Sequence, residues 1–311
     1  MNDNLTVSTY RTVANGVELR SFEAENREQA MSYHLAHSEA AVNKALLNGS
    51  IQLGENQTAR DVDIRLLDEH DRVIHTSNKF LAQFVNLTTE EWNDLKFLDR
   101  GTSDEPSVYF DIDGTTGKWN PNATMEEIFD IKNHYFAKVE PDDFAINLAK
   151  QLHEDSVDTC IVTAAAKDTI PDKYDWIKKN IPFIKDENIF FAPLGADKTQ
   201  FIKGNADKSA LIDDYNPNLY AWKESGGQSV KYLNGINSKN PDFSQVDFGS
   251  LKKAYEAFKE WELITDATDY QVDAQRDKLV SRMYNTTGFV AEGIEQAIGH
   301  NNSPLAEHEK E

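Results

Sequence analysis

Asp111 and Asp113 stand two residues apart where the apolar, β-prone run Val108-Tyr109-Phe110 stops, and Gly114 follows them. Alternate residues of a strand share a face, so this spacing predicts two carboxylates aimed at one site beyond a strand end. Glycine lets the chain turn sharply where a side chain would clash. Such a pair offers oxygen ligands to a hard cation such as Mg²⁺ and a carboxylate able to attack phosphorus. A solvated acidic turn uses the same residues, and one short motif does not separate the two.

Three later features favour the chemistry. Thr159-Cys160-Ile161-Val162-Thr163 reads as a buried strand ending at a hydroxyl, followed by Ala164-Ala165-Ala166. Ala196-Asp197-Lys198-Thr199 sets a lysine in a polar loop after the apolar run Ile189-Phe190-Phe191-Ala192. Ser209-Ala210-Leu211-Ile212 is a third apolar strand, and it ends in Asp213-Asp214. Open α/β sheets bind their ligands beyond the carboxyl ends of the strands, where all these polar residues fall. Lys203 and Lys208 compete with Lys198 for the lysine role. Adjacent strand residues point to opposite faces, so which of Asp213 and Asp214 would ligate a metal directly stays open.

In this order, Asp111-Ile112-Asp113-Gly114-Thr115, Thr163, Lys198 and Asp213-Asp214 resemble the four motifs of the haloacid dehalogenase (HAD) superfamily. A narrower resemblance is to the 5'(3')-deoxyribonucleotidases and their bacterial and phage relatives. It rests on Lys173-Tyr174-Asp175-Trp176-Ile177-Lys178-Lys179, Asp197-Lys198-Thr199, Asn218 and Trp222-Lys223-Glu224-Ser225-Gly226-Gly227, and it spans about residues 107–237. Thr115-Thr116 replaces the apolar pair usual after the first motif, and Ala164-Ala165 replaces the usual hydroxyl or proline.

The resemblance implies an α/β fold: a HAD-like, Rossmann-type parallel sheet with a small helical cap insertion, preceded by a small α+β module. It implies catalytic roles for Asp111, Asp113, Thr163 and Lys198, with phosphate held by Thr163, Ala164 and Lys198. Mg²⁺ would be held by Asp111, Asp113, Asp213 and Asp214. The implied activity is Mg²⁺-dependent phosphomonoester hydrolysis through an aspartyl-phosphate, as in a 5'-nucleotidase acting on (deoxy)nucleoside monophosphates. Two alternatives stand beside it: a phosphatase for another small phosphate such as a sugar phosphate, and a non-catalytic binding protein on the same fold.

The elements that must carry these residues divide into three expected parts. Residues 1–104 read as an α+β module. It has a helix over 26–47, a hairpin from Asp61-Val62-Asp63-Ile64-Arg65-Leu66 to Val73-Ile74, and a capping box at Thr88-Thr89-Glu90-Glu91. His34, His37, His70 and His75 are scattered through it without ligand spacing. Gly101 to Pro106 reads as a linker. Residues 105–240 alternate strands at 107–111, 159–163, 189–191 and 209–213 with helical stretches, the pattern of βαβ units. A helical insertion at about 119–155 is the expected cap, closing over substrate by resemblance. Its Trp119, Phe129, Tyr135 and Phe136 could stack on a base or fill the cap's own core. Residues 241–311 read as helices over 251–263 and 276–283 with a polar tail.

The net charge of −21 over 311 residues argues against binding long nucleic acids, although a small phosphate would meet only the local field. No run approaches the ~18 apolar residues of a membrane helix. Met1-Asn2-Asp3-Asn4-Leu5 lacks a signal sequence, and the single cysteine, Cys160, permits no internal disulfide, so a cytoplasmic location is expected. Cys160 reads as a buried strand residue rather than a nucleophile.

Overall fold

The computed structural model describes residues 7–54, 57–98, 107–154 and 156–247. The expected linker at 101–106, the helices at 251–263 and 276–283, the polar tail and the first five residues lie outside the described residues. Contacts divide the chain into two compact units. One comprises Met1–Asp94, Thr124–Ala137 and Ala166–Asp175, and the other the remainder. The boundary therefore runs through the expected cap: its stretch from Thr124 to Ala137 groups with the first unit, and Lys138 onward with the second.

The first unit is a four-stranded antiparallel sheet under a helix. Strands β1 (Ser8–Ala14) and β2 (Val17–Ala24) form a hairpin whose two turn residues, Asn15 and Gly16, have φ of 47° and 76°. Asn-Gly suits this turn because both central residues need positive φ. Helix α1 (Arg27–Leu47) starts at Asn26, whose side chain accepts from the Gln29 amide. Strands β3 (Ile64–Leu67) and β4 (Val73–Thr76) complete the order β2-β1-β3-β4. Ala30, Val42 and Ala45 of α1 join Tyr10, Ala14, Leu66 and Ile74 of the sheet in two small buried clusters. Two short helices follow, α2 (Lys79–Val85) and α3 (Thr89–Asn93), the latter opened by the expected capping box at Thr88. The segment that returns to this unit carries α4 (Met125–Phe129) and the start of α5 (Tyr135–Lys138). There Phe129 and Tyr135 each pack edge-on against Phe136.

The second unit carries the parallel sheet. Its elements are β5 (Ser107–Phe110), α6 (Asp143–Glu154), β6 (Asp158–Ala165), the last half of α7 (Ile170–Asn180), β7 (Ile189–Pro193), β8 (Ser209–Asp213), α8 (Asn216–Glu224), β9 (Gln228–Leu233) and β10 (Ser244–Asp247). All neighbours pair in parallel, in the order β10-β9-β8-β5-β6-β7. Every residue of β5, β7 and β8 is buried, which is why these strands are continuous apolar runs rather than alternating ones. From β5 the chain builds outwards to β6 and β7 on one side, then to β8, β9 and β10 on the other. The order therefore reverses between β5 and β8, and a crevice at such a point is where doubly wound sheets bind ligands.

Candidate active site

Register alone brings the polar residues to one edge. Phe110 of β5 pairs with Ile161 of β6 on one side and Ile212 of β8 on the other. One residue further lie Asp111 and Asp213, and Thr163 lies two residues beyond Ile161. The Asp111 amide still donates to the Ile212 carbonyl at 3.0 Å, so Asp111 leaves the strand held against β8.

Beyond Asp111 the chain is a tight turn rather than an extended strand. Thr116 donates its hydroxyl to the Asp111 carbonyl at 2.8 Å, and the Gly114 amide donates to the Gly117 carbonyl at 2.8 Å. Gly114 has φ of 82°, and a Cβ there would lie 2.3 Å from Asp214 Oδ2. Glycine is required twice at this position, by its backbone conformation and by the approach of the carboxylate.

Lys198 begins a short 3₁₀ turn that Asp197 caps through the Thr199 amide. Its Nζ donates to Asp111 Oδ1 and Asp213 Oδ2, both at 2.7 Å, and the three side chains are nearly inaccessible to solvent. Burial alone would pull the lysine's pKa down, but Asp111 and Asp213 outweigh it and hold the ammonium above the usual lysine range. Of the three candidate lysines, Lys198 is the one that meets Asp111 and Asp213. Lys203 instead binds Asp158 at 2.7 Å and Asn188 at 2.8 Å, at the start of β6, and Lys208 is exposed.

Asp213 is fully engaged. Oδ1 accepts from the Tyr215 amide at 2.7 Å, and Oδ2 from Asn218 at 2.9 Å as well as from Lys198. Asp214 accepts at Oδ2 from the Asn234 side chain at 2.9 Å. Burial first, then the charges of Asp213 and Asp111, push the Asp214 carboxyl up to about 8. Among the described residues, Asp111, Asp213 and Asp214 have carboxylate oxygens within 4.8 Å of one another. The Asp113 side chain is outside that group and is partly exposed.

These residues fit a hard divalent cation. The donor set is entirely oxygen, and like charges forced together at a buried strand edge are what such an ion relieves. The fully buried hydroxyl of Thr115, next to Gly114, has no hydrogen-bond partner among the described residues, an orphan that a ligand or its water would satisfy. Thr163 is buried, with its hydroxyl 3.4 Å from the Ala164 carbonyl, a contact too long to be strong. Cys160 is free and buried, and burial pushes its thiol well above the usual range, which removes it as a nucleophile.

Sequence reasoning missed the fifth strand's contribution. β9 ends at the same edge, and the loop after it brings Asn234 and Asn237, while Lys231 within it donates to the Asp214 carbonyl at 3.0 Å and to Asn216 at 2.7 Å. The available signal was the polar Asn234-Gly235-Ile236-Asn237 directly after an apolar strand.

Solved structures similar to this chain include HAD-family hydrolases. One, from Deinococcus radiodurans R1, has bound phosphate and sodium; it is 13% identical with a TM-score of 0.32, over 52% of this chain and 98% of that one. A hydrolase from Pseudomonas syringae is 16% identical with a TM-score of 0.29, over 48% and 90%. The HAD domain of the effector protein Lem4 from Legionella pneumophila is 20% identical with a TM-score of 0.26, over 52% and 96%. No family model and no curated protein matches the sequence.

Proposed function

We propose that the chain is a Mg²⁺-dependent phosphomonoester hydrolase working through an aspartyl-phosphate, with nucleoside monophosphates as its substrates. The observation that carries this reading is the buried triad of Asp111, Lys198 and Asp213 at the point where strand order reverses, with Asp214 beside it.

Asp111 is the nucleophile. Lys198 holds one of its oxygens, which fixes the carboxylate's orientation and places positive charge where the phosphoryl oxygens gather. Asp111 attacks phosphorus as the ester bond to the leaving oxygen breaks. Asp113, partly exposed, protonates that oxygen and then takes a proton from the water that hydrolyses the intermediate. Thr163 and the backbone near Ala164 hold the transferring oxygens. Mg²⁺ would be held by Asp111, Asp214 and the Asp113 backbone, with Asp213 acting through Lys198, and it would neutralise charge on the phosphoryl group. Asp214 suits direct ligation better than Asp213, because among the described residues the Asp213 carboxylate already meets three donors and that of Asp214 meets one.

The nucleotide preference rests on the residues flanking the motifs, and the sugar phosphate is its rival. A phosphate-release screen over nucleoside monophosphates and sugar phosphates, with and without Mg²⁺, tests both levels. Release from nucleotides alone supports the full reading. Release from sugar phosphates alone keeps the chemistry and replaces the substrate. No release from any ester leaves a binding protein on this fold.

A further inference from the structure

Asn234 lies 120 residues from Gly114 in sequence, yet its Nδ2 donates to the Gly114 carbonyl and to Asp214 Oδ2, both at 2.9 Å. One amide group therefore joins the turn that follows the first carboxylate to the last carboxylate of the cluster. Its orientation is determined by its other end. Oδ1 accepts from the Ile236 and Asn237 amides, each at 3.2 Å, so the nitrogen must face Asp214. The loop carrying it is braced a second time by Asn237, whose Nδ2 also reaches the Asp214 carbonyl, though not its carboxylate, at 3.3 Å. The Asn237 side chain donates to the Tyr232 carbonyl at 2.7 Å and accepts from the Asn234 amide at 3.2 Å.

We propose that Asn234 is a positioning residue for the cation site: it binds Asp214 Oδ2 and so presents Oδ1 to a divalent ion. This rests on the metal-dependent reading above. A carboxylate among like charges swings away unless something donates to it, and among the described residues Asn234 does so without adding charge. Outer partners of metal-ligating carboxylates commonly set affinity in this way. Its donation to Gly114 fixes the spacing between Asp214 and the turn that carries Asp113.

The test is Mg²⁺ binding to the metal-free full chain by titration calorimetry, with melting in chelator as the folding control. Asn234→Ala is expected to weaken Mg²⁺ binding about 10- to 100-fold while melting in chelator changes little. Asn234→Ser, which keeps one donor, should fall between it and wild type. Asn237→Ala loosens the same loop without removing the donor to the carboxylate, and should weaken binding much less. Binding by Asn234→Ala within about twofold of wild type overturns the proposal, and so does an equal loss in Asn237→Ala, which would mark a general effect of the loop. If Asn234→Ala does not fold, Asn234→Ser against Asn237→Ala decides on the same comparison. Wild-type protein that binds Mg²⁺ but releases no phosphate overturns the hydrolase reading and leaves the Asn234 comparison standing. Wild-type protein that hydrolyses esters while Asn234→Ala keeps full Mg²⁺ affinity overturns only the positioning role. A wild type that binds no Mg²⁺ at all overturns both.

Discussion

Lys198 is a buried ammonium between two carboxylates, an arrangement that folding alone does not favour. Burying an ion pair removes both partners from water, and a well-packed apolar trio of similar volume would be at least as stable. The triad's value is that it holds Asp111 rigid and charge-compensated. Asp111→Asn keeps the shape but is a very poor nucleophile, so turnover should fall at least about a thousandfold, roughly 4 kcal/mol of barrier. Phosphate release by protein shown folded by circular dichroism checks this, and an Asp111→Asn variant keeping a tenth of wild-type activity would remove Asp111 from its role. Gly114→Ala tests the opposite side of the cluster. Its positive φ costs a side chain about 1–2 kcal/mol, and the new Cβ would lie 2.3 Å from Asp214 Oδ2. The carboxylate or the turn must shift, so Mg²⁺ affinity should drop along with stability. Calorimetry showing unchanged Mg²⁺ affinity in a destabilised Gly114→Ala protein would mean Asp214 does not touch the ion.

At the scale of elements, α1 packs a histidine where its other inward residues are small or aliphatic. His34 is buried, its Nδ1 is 3.0 Å from the Thr12 hydroxyl, and its ring meets His75 edge-on at 5.2 Å. Burial, and then the neighbouring His75, pull its pKa from 6.5 to about 4. The fold therefore favours the neutral ring. The resulting stability is complete above the unfolded value, shrinks as pH falls from 6.5 towards 4, and is gone below that range. The loss should reach on the order of 3 kcal/mol. Denaturant unfolding across this range should show the slope in wild type and a flatter profile in His34→Gln; equal slopes would assign the acid sensitivity elsewhere. The sequence named the four histidines but not this pairing, because His34 and His75 meet only when a helix crosses a sheet. The strands carrying Asp111, Thr163 and Asp213 were legible because buried parallel strands leave unbroken apolar runs, and a polar residue at their end is conspicuous. The hairpin β1–β2 carried its own signal in Asn15-Gly16, but charged residues such as Arg11, Glu18 and Arg20 obscured the alternation on either side. Asn234 had no such signal, since its role exists only once β9 lies beside β8. Asp113 shows a limit of the period-two argument: the strand ends at Phe110, so Asp113 sits in the turn beyond it, outside the group formed by Asp111, Asp213 and Asp214.

For the whole molecule, the decisive feature is how the chain distributes itself between its two units. The sequence suggests a module ending near residue 104, but the first unit also needs Thr124–Ala137 and Ala166–Asp175. Specific bonds tie these later stretches to the first ninety residues. Arg65 donates two hydrogen bonds to Asp175 at 2.7 and 2.6 Å while also holding Asp63. Tyr174 accepts from Asn78 at 3.1 Å and stacks on Phe80. Helix α7 begins in one unit and ends in the other, so the segment that loses its partners leads straight into Trp176, whose indole donates to the Val139 carbonyl at 2.7 Å. Domains tolerate separation where few contacts cross the cut, which is not the case for a unit assembled from three stretches of chain. A chain beginning at Ser107 is therefore expected to aggregate, or to melt well below the full-length protein. Full-length protein cut by protease near residues 99–106 should instead keep both pieces together, because Arg65, Asn78 and Phe80 remain on their partners. Size-exclusion chromatography of the shortened chain and of the nicked protein measures both outcomes. A monodisperse Ser107–Glu311 chain with full-length melting temperature and phosphatase activity would show that the first hundred residues are a separable module after all.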